Sequence, residues 1–68
     1  MEITVNGEER SLEVDSCSVD ELLAALEVEQ TSGVAIAVND RVVSRSSWKE
    51  ATVAEGDSVE IIRATQGG

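Results

Sequence analysis

Two stretches near the start of the chain alternate apolar and polar residues with the period of a β-strand. Ile3 and Val5 alternate with polar neighbours, and Leu12 and Val14 do the same a few residues later. The Asn6-Gly7 pair between them favours a tight hairpin turn, because both residues accept the positive φ angles that such turns need. The pattern predicts that the chain begins with a β-hairpin.

A helical period replaces the strand period after Ser18. Ser18 and Glu21 have the spacing of a capping box, in which each side chain accepts a hydrogen bond from the other residue's amide. The apolar residues that follow recur at i, i+3, i+4 and i+7 and form one stripe, Val19, Leu22, Leu23 and Leu26. We therefore expect a helix that lies on a sheet with its acidic face outward, and residues 31–33 end this helical segment.

Three further strands are predicted in the second half of the chain, at Val34–Val38, at Val42-Val43 and at Ser58–Arg63. The order is therefore ββαβββ. Because the helix must cross one sheet face before later strands can pair beside the first, the compact solution is a mixed sheet with one packed helix. This α+β architecture is the β-grasp, or ubiquitin-like, fold. Residues 1–63 are expected to form the domain, and residues 64–68 a flexible tail ending in Gly-Gly.

Composition argues against an enzyme. A chain of 68 residues forms one domain at most and is too small for an enclosed catalytic cleft. It has no His, so the commonest general base is missing, and its single cysteine, Cys17, excludes an internal disulfide and a multi-cysteine metal site. We expect no catalytic residue, no metal and no bound cofactor.

The formal net charge of −9 argues against anionic binding partners. Such a surface repels phosphate backbones, so nucleic acid is not an expected partner. The acidity fits a solvated surface, docking onto a basic face of an enzyme, or a salt-adapted host, and the sequence does not separate these causes. The longest apolar run, Val34–Val38, is too short to span a membrane or to serve as a signal core, so we expect a cytoplasmic protein.

Two segments carry a family pattern. Residues 43–48 read Val-Ser-Arg-Ser-Ser-Trp, and the second segment runs from the Gly56-Asp57 turn through the last strand to Gly67-Gly68. Together they resemble the ThiS family of sulfur carrier proteins, and the resemblance covers the whole chain. Ser44 stands where that family commonly has Pro, a difference that should loosen the loop without touching the chemistry.

The resemblance implies a sulfur carrier. In that cycle a ThiF-like adenylyltransferase uses ATP to adenylate the carboxylate of Gly68, and sulfur from a persulfide donor then displaces AMP to leave a thiocarboxylate. A ThiG-like thiazole synthase takes this sulfur for thiamine. Thr65, Gln66 and Gly67 would thread into the partners' active sites, and glycine suits a narrow channel because it lacks a Cβ atom.

Ile62 is the candidate docking residue. Side chains alternate between the two faces along the last strand. Val59 and Ile61 are expected to point toward the helix, so Ile62 lies on the opposite face of the sheet. By the same parity Ala35 and Ala37 line that face, and together they would form a shallow apolar patch beside the tail. A single exposed isoleucine is also common on surfaces without any binding role, so both interpretations stay open.

Four other residues are candidates for a structural or functional role. Cys17 is expected to be structural, because no nearby Lys or His would lower its pKa. Trp48 is expected to pack at the edge of the sheet, without basic or aromatic neighbours. Arg45 is a candidate partner for one of the carboxylates. Arg63 would either neutralise local acid or contact an activating enzyme, and the sequence does not decide between these roles.

Three alternatives remain at this stage. A MoaD-type carrier of molybdopterin synthesis would use the same tail chemistry with a different acceptor. A ubiquitin-like protein modifier would join Gly68 to lysines of target proteins. A β-grasp interaction module would have no covalent chemistry. The segment from Arg45 to Trp48 favours the carrier of the thiamine pathway.

Overall fold

A five-stranded mixed sheet with one helix on one face forms the body of the molecule. The structure, a computed structural model, describes residues 1–28 and 30–63. In chain order the elements are β1 (Glu2–Val5), β2 (Glu8–Ser11), β3 (Ser16–Ser18), α1 (Val19–Ala25), β4 (Val34–Val38), β5 (Arg41–Val43), a 3-10 turn (Arg45–Ser47), β6 (Thr52–Ala54) and β7 (Ser58–Arg63). The large sheet has the order β2-β1-β7-β4-β5, and β3 pairs with β6 in a separate ribbon.

Strand β7 occupies the centre of the large sheet. It runs parallel to β1, where Val5 faces Val59, and antiparallel to β4, where Val34 faces Arg63. The first and last strands are therefore neighbours, and the last strand has a partner on each side. The expected mixed sheet with one packed helix is confirmed.

The side chain of Asn6 extends the pairing of β7 beyond the end of β1. Its Oδ1 accepts from the amide of Ile61 at 2.8 Å, and its Nδ2 donates to the carbonyl of Ile61 at 3.3 Å. The side-chain amide thus copies the two hydrogen bonds of a strand residue. The backbone amide of Asn6 still donates to the Val59 carbonyl at 2.9 Å, and the turn begins there, with positive φ angles of 51° at Asn6 and 83° at Gly7.

Helix α1 begins as the sequence predicts. The Ser18 amide donates to Glu21 Oε1 at 2.9 Å, and the Glu21 amide donates to Ser18 Oγ at 3.1 Å, which completes the capping box. The apolar stripe faces the core, with Val19, Leu22 and Leu23 buried. The helix ends earlier than expected, at Ala25. Leu26 is its C-cap, and the next residue, Glu27, has a positive φ of 61°, which does not continue a right-handed helix.

The core lies between α1 and the large sheet. Its largest fully buried side chains come from the helix, from β4 and β7, and from the small ribbon: Leu22, Val19, Ile36, Val59 and Val53. Burying aliphatic side chains of this size stabilises the fold by about 1.5–3 kcal/mol each relative to exposure. The ribbon therefore contributes to the same core as the large sheet.

Two features of the strand pattern differ from the prediction. The second strand is Glu8–Ser11, and Leu12 and Val14 lie after it. The two-residue turn at Asn6-Gly7 places Glu8 opposite Val5, so Ser11 lies opposite Glu2, where β1 begins. Leu12 is half-buried and packs on the core from the loop after the strand. The three-residue strands β3 and β6 were not predicted, so the observed order has two more strands than ββαβββ.

Candidate functional site

The face of the large sheet away from α1 carries a small apolar patch next to the end of β7. Ile62 lies opposite Ala35, and Ala37 lies between Glu60 and Val42 on the neighbouring strands. Val42 is 78% exposed and Ile62 52% exposed, whereas Ala37 is covered by its neighbours. We call Ala35, Ala37, Val42 and Ile62 the outer patch, and it presents aliphatic carbon to solvent beside the last described residues of the chain.

The placement of Ile62 and of both alanines on this face agrees with the parity argument, but Val42 is a member that the sequence reasoning missed. Val43 packs against the core, so strict alternation along β5 turns Val42 to the outer face. The signal was present in the sequence. The run was too short for its inward and outward positions to be told apart without knowing which strand it pairs with.

Arg63 marks the base of the tail. It ends β7 opposite Val34, and its guanidinium donates to the carbonyl of Gln30 at 3.5 Å. The predicted tail residues, Thr65, Gln66, Gly67 and Gly68, lie outside the described residues. Ile62 thus directly precedes Arg63 at the tail base, whereas Ala37 and Val42 lie level with Glu60 in the middle of β7.

Arg45, Trp48 and Thr31 form a contact that we call the Arg45 clamp. The guanidinium of Arg45 stacks over the Trp48 ring, 4.5 Å from its centroid, and donates to both the hydroxyl and the carbonyl of Thr31. Trp48 Nε1 donates to the Val43 carbonyl at 3.1 Å. Cation–π stacking of this kind stabilises by about 0.5–1 kcal/mol at exposed sites. The clamp ties the 3-10 turn to the loop before β4.

The clamp corrects two expectations. Trp48 is a buried packing residue, as predicted, but it does have a basic neighbour, because the 3-10 turn brings Arg45 back over the ring. Within residues 1–28 and 30–63, the hydrogen bonds of the Arg45 guanidinium go to Thr31 and not to a carboxylate. The family-like segment from Arg45 to Trp48 therefore supports the loop that leads into β4, the strand beside β7.

Cys17 is a half-buried free thiol on β3. Burial raises the pKa of this thiol, and the negative charge of Glu21 raises it further, while the amino-terminal ammonium acts in the opposite direction. Because the thiolate is the nucleophilic form, a raised pKa makes Cys17 a poor sulfur relay at neutral pH. The local environment agrees with a structural role.

The described residues offer neither a metal centre nor a membrane-spanning helix. Among residues 1–28 and 30–63, no group of three or more acidic, Cys or His side chains is arranged to hold a metal ion. Within the same described part of the chain, no helix is long and apolar enough to cross a membrane.

The helix gripped by a mixed sheet, with an apolar outer face beside the end of the last strand, defines a ubiquitin-like β-grasp domain. The ThiS family model matches residues 2–68, and the chain belongs to the ThiS family.

Solved structures and a curated relative agree with this assignment. A crystal structure of the thiamine biosynthesis protein ThiS from Geobacter metallireducens is 38% identical, has a TM-score of 0.90 and is covered completely in both chains. A solution structure of a thiamine biosynthesis protein from the same organism has a TM-score of 0.81 at 38% identity, covering 100% of this chain and 88% of that one.

The curated relative is a thiazole synthase from Paramagnetospirillum magneticum, strain AMB-1. It is 37% identical over 68 residues, which are 100% of this chain and 20% of that protein. The chain thus spans about a fifth of the length of the curated relative that it matches.

Proposed function

We propose that this protein is a sulfur carrier that forms a thiocarboxylate at Gly68 and donates the sulfur for thiazole formation. The observation that carries the proposal is the ThiS family match over residues 2–68, which includes both glycines at the end of the sequence. The β-grasp body supports it, because the central strand β7 leads directly into the segment that ends in these glycines.

The carboxylate of Gly68 is a poor electrophile and must be activated before sulfur can attack it. A carboxylate oxygen of Gly68 attacks the α-phosphorus of ATP in a ThiF-like adenylyltransferase, which releases pyrophosphate and leaves an acyl adenylate. The terminal sulfur of a persulfide then attacks the acyl carbon, and AMP departs. A thiol finally cleaves the sulfur–sulfur bond of the acyl disulfide, so that the sulfur stays on the carrier as a thiocarboxylate and the donor becomes a disulfide.

The carrier's own contribution is to present the tail and to dock. Thr65, Gln66 and Gly67 supply the reach into each active site, and glycine permits close approach because it has no side chain. The outer patch supplies docking, with Ile62 and Val42 as its exposed aliphatic side chains. In this cycle ATP is bound by the activating partner and the carrier acts as a protein co-substrate.

Thiazole synthase is the acceptor that we propose. The similar Geobacter chain is described as a thiamine biosynthesis protein, and the curated relative is named a thiazole synthase. These two names favour thiamine over the molybdopterin pathway.

Intact-mass spectrometry tests the proposal directly. The full chain is incubated with ATP, a purified ThiF-like enzyme and a persulfide donor. We expect its mass to increase by the difference between one sulfur atom and one oxygen atom. The same measurement on the untreated chain establishes that the protein ends at Gly68.

A variant that lacks Gly68 is the matched control. It should keep the fluorescence of Trp48, which reports the folded state because this tryptophan is buried in the core, and it should not gain sulfur. A wild-type chain that keeps the mass of the free acid, under conditions that charge an established carrier, would refute the proposal.

A further inference from the structure

A groove runs along the flank of the molecule between the segment after β2 and the helix. Its apolar lining comes from Leu12, Val14, Cys17 and Ala25, and the carboxylates of Glu13 and Glu21 lie at its edge. We call it the lateral groove. Val14 is 47% exposed, one of the large hydrophobic side chains that the described fold leaves in solvent.

The lateral groove begins at the end of the molecule opposite the tail. Ser11 ends β2 beside Glu2, the first residue of β1, and the Leu12 amide donates to the Met1 carbonyl. Ser58, the first residue of β7, lies level with Thr4, and β7 then runs in the direction of β1, away from Met1 and Leu12, to Arg63. Leu12 lies beside Met1, three residue steps before the level of Thr4, and Arg63 lies five steps beyond that level, so at about 3.3 Å per residue Leu12 and the tail base are about 26 Å apart. A partner seated on Leu12 and Val14 leaves the tail free.

The size and charge of the groove indicate what it can bind. Its volume of about 260 Å³ is below the roughly 300–1,000 Å³ of pockets for small molecules, so it suits one or two protein side chains. Leu12, Val14 and Ala25 give the lining its aliphatic part, while Glu13 and Glu21 add negative charge to a chain of net charge −9. An aliphatic side chain flanked by Lys or Arg complements both properties, since long basic side chains also cover apolar surface with their stems.

We propose that the lateral groove is a second docking site, which receives an aliphatic side chain flanked by lysine or arginine from the thiazole synthase. The choice of this enzyme rests on the proposed function. In the curated relative, a segment similar to this whole chain is part of one polypeptide named a thiazole synthase. A covalent link holds two segments together at millimolar effective concentration, whereas a carrier that moves between two enzymes must hold its acceptor through surface contacts.

Two docking surfaces also suit the order of events. The outer patch lies beside the tail, where the adenylating enzyme must close around the reacting end. The lateral groove lies at the other end of the sheet, so the synthase can hold the body while the tail enters its active site. The two surfaces share no residue.

Cys17 provides a reporter for this groove. It lines the groove and is the single cysteine of the sequence, so alkylation by iodoacetamide reads groove access alone. The full chain is alkylated at a fixed alkaline pH with and without saturating purified thiazole synthase, and the product is counted by intact mass. We expect the synthase to slow alkylation on the order of tenfold or more, because a bound segment would exclude the reagent.

A charge reversal at the groove edge gives the second measurement. Glu13→Lys should weaken the affinity of the synthase on the order of tenfold, with a greater loss at low salt. Glu50→Lys makes the same charge change at an exposed position that does not line the groove, and its affinity should stay within about twofold of the wild type. Trp48 fluorescence verifies that both variants fold. Val14→Asp, which adds charge inside the groove, should also weaken binding.

The outcomes separate this inference from the proposed function. Equal alkylation of Cys17 with and without synthase overturns the groove as a docking site, even when the thiocarboxylate forms normally. Protection by the adenylating enzyme alone overturns the choice of the synthase as occupant. Failure to form the thiocarboxylate overturns the proposed function, and protection of Cys17 is still measurable then, because it uses the free-acid carrier.

Discussion

At the scale of single residues, the side-chain hydrogen bonds that connect one element or loop to another mostly end on backbone atoms. Asn6 binds the Ile61 peptide group, Trp48 binds the Val43 carbonyl, and Arg45 binds Thr31. Backbone partners do not change with most substitutions elsewhere. Each of these side chains therefore fixes the position of a loop or strand end regardless of which surface residues surround it.

Ile62 is the residue whose exposure calls for a functional test. We expect Ile62→Glu to lower kcat/KM for adenylation on the order of tenfold, because a charge in the outer patch would have to lose its hydration when the enzyme docks. Pyrophosphate release by a purified ThiF-like enzyme measures this rate. Thr52→Glu adds the same charge at an exposed position on β6 and should leave the rate unchanged. An unchanged rate for Ile62→Glu would remove the outer patch from the docking surface.

Cys17 predicts a dependence of stability on alkaline pH. Burial, and then Glu21, raise the pKa of its thiol in the folded state, so folding favours the protonated form. This contribution to stability is complete below the pKa of the unfolded thiol and is lost as the pH rises through the higher folded pKa. Urea unfolding across that window should show the wild type losing stability relative to Cys17→Ser, whose hydroxyl does not ionise there. Parallel pH profiles for the two proteins would contradict the raised pKa.

At the scale of elements, the sequence pattern predicted those helices and turns that are held by contacts between residues close together in the chain. The capping box and the apolar stripe predicted α1, and Asn6-Gly7 predicted the first turn, because both depend on contacts within a few positions. Three members of the outer patch, Ala35, Ala37 and Ile62, followed in the same way from the parity of β4 and β7, whereas Val42 on β5 did not. These are also the elements that position the candidate site.

Long-range contacts account for what the sequence did not reveal. Strands β3 and β6 have three residues each and meet through the pair Cys17 and Val53, so neither shows a readable period of its own. The Arg45 clamp likewise joins residues 14 positions apart. Leu12 suggested a strand because it is apolar in an alternating run, although it serves the core from a loop.

The capping box makes a testable contribution to α1. With seven residues, this helix is too short to be stable in isolation, so it depends on its cap and on its buried stripe. We expect Ser18→Ala to lower the free energy of unfolding by about 1 kcal/mol, because the Glu21 amide loses its acceptor. Ser32→Ala, at an exposed loop position, should change it by less than about 0.5 kcal/mol. Urea denaturation followed by Trp48 fluorescence measures both, and equal effects would deny the cap its role.

At the scale of the whole molecule, electrostatic repulsion among the carboxylates is the interaction that acts over the longest distance. A net charge of −9 is confined to a body with a radius of gyration of 11.6 Å. At low salt the Debye length of about 30 Å exceeds this radius, whereas at physiological ionic strength it falls to about 8 Å. Repulsion among the carboxylates therefore acts across the entire fold in dilute buffer and only between neighbours in the cell.

This repulsion predicts that added salt stabilises the protein. The free energy of unfolding should rise with sodium chloride concentration, because screening relieves the folded state more than the expanded chain. Replacing Glu8 and Glu9 on the exposed edge strand β2 by Gln should reduce the slope, and replacing both by Asp, which keeps the charge, should preserve it. Urea unfolding at several salt concentrations gives the slopes. A wild-type stability that falls with salt would mean that attractive ion pairs outweigh the repulsion.

The central position of β7 has a mechanical consequence. An enzyme that pulls on the chain beyond Arg63 applies force along the axis of this strand, and the hydrogen bonds to β1 and β4 lie across that axis. The bonds on both sides must then yield together in shear instead of opening one after another. A partner enzyme can therefore pull the carboxyl end into a narrow channel and release it again without unfolding the domain.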